Sequence, residues 1–260
     1  KNIPGVTNIS IVHTAIQEVL IDGWRVTNPL GFAGKEMAMN VYYSYISEHN
    51  MNMVHTFAKD LNLRLLRVTS RSYALVAHFI AEQGSDYSAI FADLSTYRTD
   101  LVLVQKGKIL ETKSLATGSS VFTKKIASDL QIGFFEAEEI KLKYSRGELS
   151  ERIAGKVKEI MTDTVRMWQN GLMIAVKEFS PTQILPNVFL LYGGGAALPD
   201  IPKVFKGVDW PKEANFERKP EIKILDTRSF HQVLDATKLL EKGSKNISFF
   251  ALLWFILALE

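Results

Sequence analysis

The stretch that most constrains the fold of this chain is Ala89–Gly118, with the sequence AIFADLSTYRTDLVLVQKGKILETKSLATG. Its apolar start predicts a short buried strand that ends on Asp93, and small and polar residues then predict a turn over Leu94–Thr99. Two further strands, Asp100–Gln105 and Ile109–Ala116, flank a Lys-Gly-Lys hairpin turn. This order places one carboxylate at the end of a sheet strand, which is where ligands bind in open α/β sheets.

The bulk composition indicates a globular protein and excludes several kinds of site. With 260 residues, 47% of them hydrophobic and 23% charged, the chain can form one large or two ordinary domains. Its 31 basic residues are dispersed and the net charge is only +3, so we predict no nucleic-acid-binding surface. The absence of cysteine excludes disulfides and thiolate metal sites, and the five histidines lack metal-ligand spacing.

The apolar run Phe249–Leu259 has two interpretations. It contains eleven residues, whereas a transmembrane helix needs about 20. It is therefore either a buried helix of the fold or the first half of a membrane helix that continues beyond it. In the second case the preceding lysines, at 238, 242 and 245, would flank the membrane on the cytoplasmic side.

Residues 1–70 predict a small α+β unit. Residues 8–14 and 16–21 alternate well enough for two strands, and Glu36–Ile46 alternates with the same period of two. Glu48–Leu61 predicts a helix, and Leu63–Val68 predicts another strand. The residues predicted to face inward from the helix are Met51, Val54, Phe57, Ala58 and Leu61.

The rest of the chain alternates between helices and strands, as expected for an α/β core. A strand over Val188–Tyr192 leads directly into three glycines. The other predicted elements are helices over Ser70–Gln83, Ser119–Leu130, Phe134–Tyr144 and Asp200–Phe205, a long helix capped by Ser150, a strand over Ile222–Leu225 and a helix near Ser229–Leu240.

Two small patterns are typical of nucleotide sites. Three glycines after a strand let the backbone approach a base or a phosphate, although a tight strand-to-helix turn explains them equally well. Glu138 and Lys141 lie three residues apart, so they face the same side of one helix. Such a pair can hold the hydroxyls of a ribose, and the alternative is a surface ion pair.

Taken together, these residues resemble the actin and Hsp70 ATPase fold, and within it the FtsA family of bacterial cell-division proteins. The segments that carry the resemblance are VHTAIQEVLIDG (12–23), NPLGFAGKEM (28–37), NLRLLRVTSRSYALVAHF (62–79) and LLYGGGAALPDIP (190–202). The PilM family of pilus-assembly proteins is the main rival, because it shares the strand–helix–strand pattern of the small domain.

The resemblance implies an α/β actin-like core, incomplete at its N-terminus, over residues 71–260. Residues 1–70 would form an inserted domain of the SHS2 type. The cofactors would be ATP and Mg²⁺, with Asp93 near the metal and the γ-phosphate. The remaining contacts implied by the resemblance are Ser95 and Thr96 to the phosphates, Glu138 and Lys141 to the ribose, and Gly193, Gly194 and Gly195 to the adenosine.

Three departures from the family count against catalysis. The family's phosphate loop reads Asp-hydrophobic-Gly-small-Gly-Thr-Thr-Asp, whereas this chain has no glycine over Asp93–Asp100 and carries the bulky Tyr97 there. The family's first phosphate loop precedes the inserted domain, and we expect this chain to start after it. Only residues 142–150 stand where the family has a further β-rich lobe. We therefore regard enzymatic activity as unsettled, with the balance against it.

The function implied by the resemblance is that of a cytoskeletal adaptor at the division septum. It would polymerise head to tail at the cytoplasmic face of the inner membrane and recruit the tubulin-like protein FtsZ, with ATP as an assembly ligand. One alternative is a PilM-like pilus scaffold that binds a short peptide on residues 1–70. The other is an Hsp70-like ATPase, which needs a water in line with the γ-phosphate and a metal near Asp93.

Overall fold

The structure of the chain, a computed structural model, describes residues 8–179, 184–210, 214–216, 218–233, 240 and 242–258. Its backbone contacts divide it into two compact units, Lys1–Ala74 and Leu75–Glu260. The division falls inside a helix that spans Arg71–Gln83. The interpretation of residues 1–70 as an inserted domain stays a prediction.

The first unit is built on a long antiparallel strand pair. Strand β1 (Ile9–Ile21) pairs with β3 (Met37–Ser47) over its whole length, and the short β2 (Trp24–Arg25) pairs with the last two residues of β1. Two irregularities in β1 replace the predicted break between two strands. Each shifts the register by one residue, so a single strand continues where the alternation of side chains is interrupted.

Helix α1 (Glu48–Asp60) follows β3 and lies on a poorly covered sheet. It begins at the predicted position, where the Ser47 side chain accepts a hydrogen bond from the Asn50 amide. The prediction that Phe57 and Leu61 face inward was wrong, because 59% and 66% of their surfaces are exposed. No side chain of α1 is buried, since the sheet beneath it has only two long strands.

The predicted strand over Leu63–Val68 is also wrong, because residues 63–70 have no regular secondary structure. A strand needs a partner backbone within hydrogen-bonding distance, and this segment pairs with none of the described strands. Leu65–Val68 instead line a cavity of about 590 Å³ together with Ser10–Val12 of β1 and residues of α1.

The second unit contains a mixed five-stranded sheet. Its strands are β4 (Ala89–Leu94), β5 (Thr99–Gln105), β6 (Lys108–Leu115), β7 (Val188–Tyr192) and β8 (Glu221–Ile224). The order across the sheet is β6-β5-β4-β7-β8. The β4–β5–β6 meander is antiparallel, and β4, β7 and β8 run parallel. The hairpin and the strand before the glycines are therefore confirmed, within one or two residues.

Helices cover both faces of this sheet. In chain order they are α2 (Arg71–Gln83), α3 (Ser120–Leu130), α4 (Phe134–Arg146), α5 (Glu151–Lys177), α6 (Ile201–Val204) and α7 (Ile247–Leu257). The apolar row of α5 packs with α3 on the face of β4 that carries Ile90, Ala92 and Leu94. Only residues 147–150 separate α4 from α5, so the predicted short connection is confirmed.

Aromatic side chains fill the opposite face of the sheet. Phe79 packs edge-on against Phe91 of β4, and the buried His78 stacks on Phe230 and contacts the edge of Trp254 in α7. Five side chains of α7 are buried, in agreement with its interpretation as a helix of the fold. No helix within the described ranges has both the length and the apolar character to cross a membrane.

Two predicted helices near the C-terminus have different outcomes. The predicted helix Asp200–Phe205 is confirmed within one residue at each end, as one turn of α-helix, α6, followed by a 3₁₀ turn over Phe205–Gly207. The predicted helix near Ser229–Leu240 falls mainly on residues 234–239, which lie outside the described residues. Before them, Thr227–Ser229 form a 3₁₀ turn in which the Asp226 side chain accepts from the Arg228 amide.

We predict that His78 makes the second unit sensitive to acid. Burial lowers the pKa of His78, and Glu82 and the Ser229 carbonyl only partly oppose this effect. The unfolded chain therefore takes up the proton first, so stability is full above about pH 6.5 and is lost as the pH falls below it. Urea unfolding followed by tryptophan fluorescence should show a smaller loss between neutral and acidic pH in His78→Phe. An equal loss in both proteins would contradict this assignment.

Candidate functional site

Asp93 lies at the centre of the sheet, one residue before β4 ends. It is paired with Asp100 of β5 on one side and with Tyr192 of β7 on the other, and 3% of its surface is exposed. The Ser95 hydroxyl donates a hydrogen bond to Asp93 Oδ1 at 2.8 Å. The parallel pairing of β4 with β7 therefore places the Asp93 residue beside Tyr192, which directly precedes the three glycines.

The turn after β4, residues Ser95–Arg98, is closed by its own hydrogen bonds. The Ser95 amide donates to the Arg98 carbonyl at 3.1 Å. The Arg98 guanidinium forms a 2.8 Å ion pair with Asp100, which also accepts from the Ser114 hydroxyl at 2.6 Å. Tyr97 points outward, with 77% of its surface exposed. The charge of Arg98 is thus directed to a neighbouring carboxylate of the same sheet.

This 95–98 turn rests on the start of α3. The amides of Ser119 and Ser120 donate to the carbonyls of Ser95 and Thr96, each at 2.8 Å. Gly118 makes the close approach possible, since a Cβ atom there would lie 2.5 Å from the Arg98 amide nitrogen and from the Ser95 oxygen. Any larger residue at position 118 would push the turn away from the helix.

Glu138 and Lys141 form the predicted pair on α4, but Lys141 is buried. Its ammonium group lies 2.8 Å from Glu138 Oε2, and it donates to the Thr123 hydroxyl at 2.8 Å and to the Ser119 carbonyl at 3.3 Å. Burial lowers the pKa of Lys141, against the opposing effect of Glu138. The predicted proximity is confirmed, whereas the ribose contacts stay a prediction.

Thr123 is a site residue that the sequence analysis missed. Its hydroxyl accepts from Lys141 and donates to Glu138, so it links α3 to α4. The available signal was its spacing of four residues from Ser119, which places Thr123 one helical turn after the residue that precedes α3. The pairing of α3 with α4 was needed to recognise the contact.

The surroundings of the three glycines differ in whether they leave room for a side chain. Gly193 has a φ of +90°, and a Cβ there would collide with the Asp93 carboxylate and lie 2.7 Å from the Leu94 oxygen. A Cβ on Gly195 would collide with the Leu94 side chain and lie 2.9 Å from Ser119 Cβ. Gly194 is exposed and has nothing within 4 Å of a Cβ position. Packing therefore accounts for two glycines and leaves the third facing open space.

A buried hydrogen bond, also missed from the sequence, joins α4 to the segment after the glycines. The Tyr144 hydroxyl donates to Asp200 Oδ2 at 2.6 Å. Burial raises the pKa of Tyr144, and the bond to Asp200 raises it further. Since Tyr144 lies one turn after Lys141, this bond fixes how α4 stands relative to Gly193–Gly195.

The structure thus connects most of the predicted site through direct contacts. Asp93 adjoins Gly193 and Ser95, Ser95 bonds to Ser119, and Ser119 accepts from Lys141. Within the described ranges, no group of three or more His, Asp or Glu side chains could hold a metal ion. A single carboxylate can still serve Mg²⁺ when phosphates and waters supply the other ligands, so the metal role of Asp93 stays a prediction.

We predict that substitutions of two neighbouring glycines differ in their effect on stability. Gly195→Ala should destabilise the second unit by about 1–3 kcal/mol, because the new methyl group overlaps Leu94 and Ser119. The matched control Gly194→Ala should change the free energy of unfolding by no more than about 0.5 kcal/mol, since the methyl group meets open space. Denaturant titration of both variants measures this difference, and equal stabilities would contradict the described packing.

Comparison with known proteins gives relatives in sequence and in structure. No family model matches the chain. It is similar to the cell division protein FtsA of Helicobacter pylori strains 26695 and J99, at 23% identity over 140 residues in each. The aligned stretch covers 54% of this chain and 28% of FtsA, so the chain spans little more than a quarter of these relatives.

Two kinds of solved structure share its fold. A PilM-PilN type IV pilus biogenesis complex matches with a TM-score of 0.66 and 17% identity, over 98% of this chain and 68% of that one. MreB5 of Spiroplasma citri, bound to AMPPNP, matches with a TM-score of 0.57 and 15% identity, over 82% and 66%. At these identities the likeness establishes the fold alone. The chain therefore has the actin-like ATPase fold, and in sequence it is similar to the FtsA cell-division proteins.

Proposed function

We propose that this chain is an actin-like scaffold of bacterial cell division, which works by associating with copies of itself and with FtsZ at the cytoplasmic face of the inner membrane. The observation that carries the proposal is its sequence similarity to FtsA over 140 residues, on an actin-like fold. An adaptor acts through its surfaces, so the proposed role requires no hydrolysis. Fold alone does not determine function, and the partner is therefore the point to test.

The first experiment measures binding of this chain to the C-terminal tail peptide of FtsZ by fluorescence anisotropy. We expect saturable binding that a scrambled peptide of the same composition does not show. Sedimentation velocity on the same sample should show concentration-dependent self-association. A chain that binds no FtsZ peptide and stays monomeric at every concentration would contradict the proposal.

A specific feature of the first unit favours a second candidate, a PilM-like pilus scaffold. In the order β2-β1-β3, β2 pairs with β1 only at Leu20 and Ile21. Among the described residues, no strand pairs with the same edge of β1 over Ser10–Val12, where the 590 Å³ cavity lies. An extended peptide could add a strand to this edge, with backbone hydrogen bonds supplying affinity and the cavity walls supplying specificity.

A pair of matched variants separates this candidate from the first. Leu66 lines the cavity and Leu63 does not, although 60% and 63% of their surfaces are exposed. If the chain is PilM-like, one of a set of overlapping peptides from PilN should bind, and Leu66→Asp should weaken it at least tenfold while Leu63→Asp does not. Equal effects of the two variants, or no PilN peptide bound, would remove this candidate.

A further inference from the structure

Strand β3 forms one edge of the sheet in the first unit, and that edge is open. In the order β2-β1-β3, it has β1 on one side and no described strand on the other. Within the described ranges, no loop backbone forms a hydrogen bond with its outer edge either. The amides and carbonyls that point away from β1 along Met37–Ser47 are therefore available to a further strand.

This edge lacks the features by which proteins commonly protect such strands. Exposed edge strands are usually short, or they carry a proline, a charged side chain or a bulge. β3 has 11 residues, about twice the usual five or six, and its sequence MAMNVYYSYIS contains neither proline nor a charged residue. Both irregularities of the β1–β3 pair skip a residue of β1, so β3 itself is regular. Nothing in the strand therefore opposes the addition of another.

One face of β3 also presents apolar side chains to solvent. Met37, Met39, Tyr43 and Tyr45 alternate along the strand, so they share this face, with Val41 at the centre. The exposed fractions of the two methionines and two tyrosines lie between 45% and 61%. A second strand alongside β3 would cover part of this surface, because side chains on directly opposite residues contact each other.

The order of these side chains is complementary to itself in an antiparallel pair. When two copies of β3 pair around a two-fold axis at Val41, Met37 of one copy faces Tyr45 of the other, and Met39 faces Tyr43. Contacts between a methionine sulfur and an aromatic ring are favourable. Like charges on opposite residues would destabilise the pair, and β3 carries no charge. The strand that fits this edge best is therefore β3 of a second copy.

We infer that β3 joins two copies of this chain, by antiparallel pairing with its own counterpart around a two-fold axis at Val41. The two three-stranded sheets then form one six-stranded sheet. Such a contact uses the same surface on both copies, so it closes as a dimer and leaves other surfaces for further partners. The inference rests on the self-association in the proposed function and assigns that association a surface.

Disulfide mapping tests this register directly, because the chain contains no cysteine of its own. Directly opposite residues of antiparallel strands have Cα atoms about 4.5–5.5 Å apart, which a disulfide can bridge. Val41→Cys should therefore form covalent dimers under mild oxidation. Met39→Cys alone should not, since the two copies of residue 39 lie about 13 Å apart along the strands. A mixture of Met39→Cys and Tyr43→Cys chains should crosslink, because these positions face each other.

A matched control separates pairing through the edge from contact through the face of the sheet. Ile16 is paired with Val41 and is 62% exposed, but it belongs to the central strand β1. Ile16→Cys should crosslink at least tenfold more slowly than Val41→Cys at the same concentration. In sedimentation velocity, Val41→Lys should shift the chain to monomer, because it sets two like charges opposite each other, whereas Ile16→Lys should not.

The inference is overturned by a chain that stays monomeric at every concentration, or by equal crosslinking at Ile16 and Val41. Crosslinking of Met39→Cys alone as readily as of the mixture would also overturn it, because the register would then be different. Titration of the FtsZ tail peptide into the same sample keeps the proposed function separate. A monomer that binds the peptide rejects only the β3 pairing. A dimer crosslinked at Val41 that binds no FtsZ peptide rejects the FtsZ role and confirms the pairing.

Discussion

The parallel pairing of β4 with β7 is the interaction on which the rest of the second unit depends. It places Asp93 beside Tyr192, so that the next residue along β7 must pass the carboxylate at close range. Only a glycine with positive φ can do this, and Gly193 meets both requirements. The Ser95 hydroxyl and the start of α3 then enclose the same strand end. Residues whose sequence pattern is typical of a nucleotide site thus form a packed junction between the sheet and α3.

Local patterns predicted the elements of this junction but not its closure. The β4–β6 meander, the glycine run and the Glu138–Lys141 spacing follow from alternation, turn residues and helical period, which depend on neighbours in sequence. The bonds from Ser119 and Ser120 to the 95–98 turn, and the bond from Tyr144 to Asp200, join residues far apart in the chain. They depend on how the elements pack, so no local pattern reports them.

The wrong predictions in the first unit also arise because local patterns do not report how the elements pack. Leu63–Val68 has the residues of a strand, but a strand forms only where a partner backbone is within reach, and this segment pairs with none of the described strands. Phe57 and Leu61 have helical spacing toward a core that this narrow sheet does not supply.

The closed 95–98 turn is the central claim, and scalar couplings across hydrogen bonds test it most directly by NMR. Such a coupling exists only when the donor nitrogen and the acceptor carbonyl share a hydrogen bond. We predict couplings from the Ser119 nitrogen to the Ser95 carbonyl and from the Ser120 nitrogen to the Thr96 carbonyl. Absence of both couplings would mean that the turn is not bonded to the start of α3.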